Sequence, residues 1–86
     1  MAVRKVIWSR TAYLQRKSIL FFWVERNKSN TYSLKLLKQT KLATQQLAKL
    51  PFIGKNTDIE NIRVYVMGNY KIYYSFTETE IQVVCF

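Results

Sequence analysis

Catalysis needs groups that move protons, hold a metal or attack a substrate, and this chain has few of them. It contains no histidine, so neither a Ser-His nor a Cys-His nucleophile pair can form. Its one cysteine, Cys85, lies on an apolar strand pattern and reads as a buried structural thiol. Without histidine, and with a single cysteine, a zinc site lacks ligands; no metal and no cofactor is expected. The five acids, Glu25, Asp58, Glu60, Glu78 and Glu80, are scattered, and no carboxylate dyad emerges. Acid–base or phosphate chemistry would fall to Tyr, Lys and Arg. The stretch richest in these is IRVYVMGNYKIYYSF at 62–76, with Arg63, Tyr65, Lys71 and Tyr73.

That stretch reads as a β-hairpin, and its turn decides which side chains share a face, because strand residues alternate with a period of two. A two-residue loop, Gly68-Asn69, pairs 67 with 70 and separates Arg63 from Lys71. An odd loop, Met67-Gly68-Asn69, pairs 66 with 70. It gathers Ile62, Val64, Val66, Tyr70, Ile72, Tyr74 and Phe76 on one face, and Arg63, Tyr65, Lys71, Tyr73 and Ser75 on the other. Burial specifies register strongly, so the cleanly segregated second register is expected, although Gly-Asn alone favours the shorter turn. A last run at 80–86 follows the same logic. It places Phe76 opposite Ile81, sends Ile81, Val83 and Cys85 to the core, and sets Phe86 opposite Lys71 on the exposed face. Two cations flanked by Tyr65, Tyr73 and Phe86 suit single-stranded RNA, whose bases stack on aromatics while its phosphates meet cations. The same composition suits an acidic peptide or an ordinary sheet surface.

Other elements must hold this hairpin. Val3–Trp8 is β-prone, and Ser9 is placed to cap a helix from Arg10 to about Asn27. Ala12, Ile19, Phe22, Trp23 and Arg26 follow helical spacing, with Tyr13, Leu20 and Val24 as a second stripe. So wide an apolar surface implies burial on two sides or cover by a partner. Core packing is expected of Ile19, Phe22 and Trp23. After the polar break 27–30, a second helix runs to about Lys49, with Leu36, Leu37, Thr40, Ala43, Thr44, Leu47 and Leu50 as its stripe. So short a break predicts an antiparallel helical hairpin. Lys35, Lys38, Lys41 and Lys49 fall largely off the stripe and read as a solvated face. Pro51-Phe52-Ile53-Gly54 stops the helix, and 55–60 reads as polar loop.

The chain's 86 residues, 49% hydrophobic, fit one domain over 1–86. Lys and Arg number 14 against 5 acids, a net charge of +9, which points to an anionic partner: nucleic acid, an acidic protein or a membrane surface. The longest apolar run, Ile19–Val24, is too short to span a bilayer. MAVRKVIWSR carries no signal-peptide core, so the expected location is the cytoplasm.

Three motifs in order, IWSRTA at 7–12, LPFIG at 50–54 and IRVYVMGNYKIYYSF at 62–76, resemble the RelE/ParE toxins of bacterial type II toxin–antitoxin pairs. The family often shows an Arg and, about eight residues on, Tyr-Arg-Ile/Val-x-Tyr; Arg63 and Tyr70-Lys71-Ile72-Tyr73-Tyr74 match, with Lys replacing Arg. The resemblance covers nearly the whole chain. It implies an α+β fold, β-α-α-β-β-β, with a twisted antiparallel sheet and the helical hairpin packed on one face. It implies a cognate acidic antitoxin that folds on binding, here over Tyr13 and Leu20, and no membrane partner. RelE-type members cut messenger RNA on the ribosome without metal, and ParE-type members block DNA gyrase without chemistry. Under the first, Arg63, Lys71 and Tyr73 are the expected catalytic residues, and Tyr65, Lys55 and Phe86 the expected nucleic-acid contacts. Members of the family usually continue past this strand, so the resemblance also implies that Phe86 is an early end, and a third expectation is an inactive, truncated toxin that only binds antitoxin.

Overall fold

The computed structural model describes residues 3–86. Strand β1 (Lys5–Trp8) leads through Ser9 into α1 (Arg10–Asn27), and α2 (Thr31–Lys49) follows. A 3₁₀ turn (Pro51–Ile53) precedes β2 (Lys55–Asn56), β3 (Arg63–Met67), β4 (Tyr70–Phe76) and β5 (Glu80–Cys85). The strands form one sheet in the order β1-β5-β4-β3-β2.

Local chemistry sets the boundaries. Ser9 caps α1: its Oγ accepts from the Ala12 N–H at 3.0 Å, satisfying one of the orphan donors of the first turn. The same hydroxyl donates to the Val84 carbonyl at 3.0 Å, fixing the helix start to β5. Lys28, at φ 54°, takes the left-handed conformation that ends α1. Pro51 opens the 3₁₀ turn, where α2 cannot continue.

The helical hairpin covers one face of the sheet. Leu36, Ala43, Leu47 and Ala48 of α2 and Ala12 of α1 are buried against Met67, Ile72, Tyr74, Ile81 and Val83. The Leu, Ile, Val and Met side chains among these each contribute roughly 1.5–3 kcal/mol when taken fully out of water. Helix α1 packs more loosely. Ile19, Leu20 and Trp23 are half-buried, with the Trp23 indole N–H donating to the Tyr70 hydroxyl at 2.7 Å. Phe22, expected in the core, is 52% exposed, because α1 turns only its Ile19/Trp23 edge to the sheet. Leu37 and Leu50, assigned to the α2 stripe, are also exposed.

The α+β class, the helical hairpin on one face and the expected element order all stand. Two features add to them. The sheet, expected to be antiparallel throughout, is mixed: β1 runs parallel to β5, pairing Val6 with Ile81 and Trp8 with Val83, while the other neighbours are antiparallel. The segment read as polar loop begins with the short strand β2, which pairs Lys55 with Val64 and Asn56 with Arg63.

The hairpin register differs from the one expected. Met67 pairs with Tyr70, Val66 with Lys71, Tyr65 with Ile72, and Arg63 with Tyr74. The turn is the two-residue Gly68-Asn69, with Gly68 at φ 61° and Asn69 not at positive φ, the pattern of a type II′ turn with Gly first. That turn matches the strand twist, and it prevails over clean segregation. The cost of the mixed faces is small, because the polar residues turned inward find partners and those valines turned outward lie at a solvent face. A bulge follows in β5. Phe76 pairs with Ile81 as expected, but the ladder shifts so that Tyr74 meets Val83 and Tyr73 meets Cys85. Phe86 is thereby moved off the face of Lys71, and Cys85, expected in the core, is half-buried opposite Tyr73.

Candidate functional site on the open sheet face

The register assigns the sheet's open face residue by residue. Lys55, Val64, Tyr73 and Cys85 form one row across β2, β3, β4 and β5. Val66 and Lys71 form the row beside it, and Ser75, Gln82 and Ile7 the row on the other side. Two strand spacings put the Cα atoms of Lys55 and Tyr73 about 10 Å apart, and the i, i+2 step puts Lys71 roughly 7 Å from Tyr73. Lys55 and Lys71 are exposed and Tyr73 is half-buried. Side-chain hydrogen bonds trace the same face: the Ser75 hydroxyl donates to Gln82 Oε1 at 3.3 Å, and Gln82 Nε2 donates to Glu80 Oε1 at 3.2 Å. This face offers two ammonium groups about a phenol, on an aliphatic floor of Val64, Val66 and Val84. It can bind an anion beside an aromatic ring. Among the described residues, no group of three or more His, Cys, Asp and Glu side chains could hold a metal.

Three of the expected site residues, Lys55, Lys71 and Tyr73, therefore come together. Arg63, Tyr65 and Phe86 do not join them, and the expected grouping of Arg63 and Tyr65 with Lys71 is corrected by the two-residue turn. Arg63 lies on the helix side, where Nη1 donates to the carbonyl of Gly54 at 2.7 Å and that of Phe52 at 3.3 Å. Its guanidinium also sits 5.5 Å from the centroid of the Phe52 ring. The Tyr65 hydroxyl points to Gln46 Oε1 of α2 at 3.4 Å. Phe86 stacks on Tyr70 with centroids 5.9 Å apart and an interplanar angle of 18°, and packs against Trp8 at 5.8 Å. Of the two expected antitoxin contacts, Tyr13 is 46% exposed and Leu20 is half-buried.

Sequence reasoning missed Tyr74, which is wholly buried and holds the loop after α2. Its hydroxyl donates to the Pro51 carbonyl at 2.7 Å and accepts from the Gly54 N–H at 3.0 Å. Burial pushes the phenol's pKa up, against smaller lowering effects of the Gly54 N–H and the Arg63 guanidinium. Tyr74 and Arg63, cross-strand partners, thus clamp residues 51–54 together. The available signal was the pair of elements itself: a Pro/Gly-punctuated loop cannot satisfy its own backbone when buried, so a hydroxyl on the adjoining strand is needed.

No protein-family model matches the sequence, and no curated protein matches it. A solved structure described as the chromosomal ParDE TA system from P. aeruginosa is similar over 96% of this chain and 92% of that chain, with TM-score 0.79 and 15% sequence identity. At that identity the likeness speaks to architecture, and it agrees with the RelE/ParE resemblance of the three sequence motifs. The chain has the fold of a component of the ParDE toxin–antitoxin system.

Proposed function

We propose that this chain is the toxin of a type II toxin–antitoxin pair and that its open sheet face contacts the target. The observation that carries this reading is the conjunction of a ParDE-like fold with Lys55, Lys71 and Tyr73 on one uncovered face. In the first version the target is messenger RNA on the ribosome. Lys71 neutralises the scissile phosphate, Tyr73 packs on a base, and Lys55 holds a neighbouring phosphate. Arg63 leaves the proposed catalytic set, since it pairs with Tyr74 and faces the helix side, across the sheet from Lys71. A second version on the same face is inhibition of DNA gyrase by binding alone, for which Val64 and Val66 offer an aliphatic floor to a protein partner.

The antitoxin is proposed to be an acidic chain that covers α1 around Tyr13 and the half-buried Leu20, beside the exposed Phe21. The chain's +9 charge complements it.

Induced expression in a bacterium, with pulse labelling of protein and DNA synthesis in parallel, tests the reading. Prompt loss of protein labelling, abolished by Lys71→Ala, supports messenger cleavage. Loss of DNA synthesis with filamentation assigns gyrase. A folded chain that produces neither effect refutes toxicity.

A further inference from the structure

A second polar concavity lies away from the open face. It encloses about 320 Å³ and is lined by Asn56, Asn61, Arg63 and Phe76. The register explains why these four meet. Asn56 is the partner of Arg63, and Arg63 is the partner of Tyr74. Phe76 lies two residues beyond Tyr74 on the same side, and Asn61, two before Arg63, falls opposite Phe76 when the ladder is continued. All four therefore face the helix side, just past the loop that Tyr74 and Arg63 clamp.

The groups in this concavity are poised for a ligand. Arg carries five N–H donors, and both of Arg63's loop contacts come from Nη1, which leaves Nη2 and Nε. The turn 57–62 is closed by Thr57, whose Oγ1 donates to the Ile62 carbonyl at 2.9 Å and accepts from the Ile59 N–H at 3.2 Å, and whose N–H donates to the same Ile62 carbonyl. The side-chain amides of Asn56 and Asn61 take no part in that closure. Asn61 stands at φ 67°, a conformation Asn tolerates better than most residues, so a rigid turn sets where its amide begins. Phe76 is fixed as well: Phe52 meets it edge-on with centroids 5.0 Å apart, and Arg4 lies 5.6 Å from its centroid while donating to the Thr77 carbonyl at 2.6 Å. The acids of the turn, Asp58 and Glu60, are exposed and are not lining residues.

We propose that this concavity binds one nucleotide: Asn56 and Asn61 pair with the edge of the base, Phe76 packs on it, and Arg63 takes its phosphate. Two amides that can each donate and accept match a base edge. An aromatic wall and a guanidinium supply the contacts by which single-stranded nucleic acid is held. A cavity of this size accepts a single nucleotide and not a duplex. The site does not depend on the toxin reading, since its residues lie across the sheet from Lys71.

Titration of ¹⁵N-labelled protein with the four ribonucleoside monophosphates, and separately with short single-stranded oligoribonucleotides, tests it by NMR. The side-chain amide signals of Asn56 and Asn61 and the ring signals of Phe76 should move together. The double variant Asn56→Ala/Asn61→Gly, which keeps an exposed strand position and a residue at home at positive φ, should bind at least about tenfold more weakly with an unchanged fold. Tighter binding of the oligonucleotide identifies a residue within a strand; equal binding identifies a free nucleotide. Shifts confined to Lys71 and Tyr73, absence of shifts at millimolar ligand, or undiminished affinity in the double variant would overturn the proposal.

Discussion

Tyr74→Phe removes one oxygen from the protein, and its effect follows from what that oxygen does. The hydroxyl partners two buried backbone groups at once, the Pro51 carbonyl and the Gly54 N–H. An unsatisfied buried group costs about 1–3 kcal/mol. Removing the hydroxyl also relieves its own desolvation, and Arg63 still holds the loop through Phe52 and Gly54. The net loss should be about 2–4 kcal/mol, or a fall in Tm of roughly 10–25 °C for a domain of this length. Urea unfolding followed by circular dichroism measures it, with thermal melts alongside. A second substitution sharpens the test. A Cβ added at Gly54 would clash with the Tyr74 hydroxyl oxygen and lie 2.8 and 2.9 Å from ring carbons. Gly54→Ala should therefore destabilise strongly on its own, and less in the Tyr74→Phe background, where the closest clash is gone. A coupling of about 1 kcal/mol or more is expected. A Tyr74→Phe loss under about 0.5 kcal/mol, or additive effects of the two substitutions, would refute the clamp.

The remaining predictions test capping, the turn and titration. Ser9→Ala should cost about 1–2 kcal/mol in urea unfolding, because one hydroxyl both caps α1 and ties it to Val84. Gly68→Ala should cost about 1 kcal/mol or somewhat more, since Gly68 is at φ 61°. No neighbour lies within 4 Å of a Cβ there, so the whole effect is conformational and the corresponding D-Ala, placed by peptide ligation, should remove it. Tyr74 makes stability pH-dependent in alkali. Its folded pKa lies above the ordinary tyrosine value of 10.0, so the unfolded chain releases the proton first. Stability from this group is intact below about pH 10 and falls as pH rises toward the folded value. The slope of stability against pH in that window should be shallower in Tyr74→Phe than in the parent.

How far the sequence was legible depends on whether local signals agreed. Ser9, the Gly- and Pro-free run after it and Pro51 all point one way, and the helices start and stop where they say. The hairpin set two signals against each other. Gly68-Asn69 asked for a two-residue turn, while the alternation of Val64, Val66 and Ile72 asked for an odd loop. The turn prevailed because a mixed face is tolerable when its inward polar atoms are paired, and that pairing is tertiary. Arg63 finds the carbonyls of Phe52 and Gly54, Tyr65 finds Gln46, and Tyr74 finds Pro51 and Gly54. None of those partners is near in sequence to the strand that uses it, so no period-two count could have revealed them. The bulge between Tyr73 and Tyr74 escaped for a related reason. It lets Val83 face the core while Phe86, three residues on, packs with Trp8 and Tyr70, which strict alternation forbids. One residue of register is therefore the difference between an Arg63 that reaches a ligand beside Lys71 and an Arg63 that holds a loop and faces a separate concavity. Growth-arrest assays of Arg63→Lys and Lys71→Ala, read beside the unfolding stability of each variant, separate the two geometries. A shared site would make both substitutions lose toxicity at unchanged stability. The observed register instead requires Arg63→Lys to lose stability, because a lysine cannot bridge two carbonyls with the same planar fork, while Lys71→Ala leaves stability unchanged.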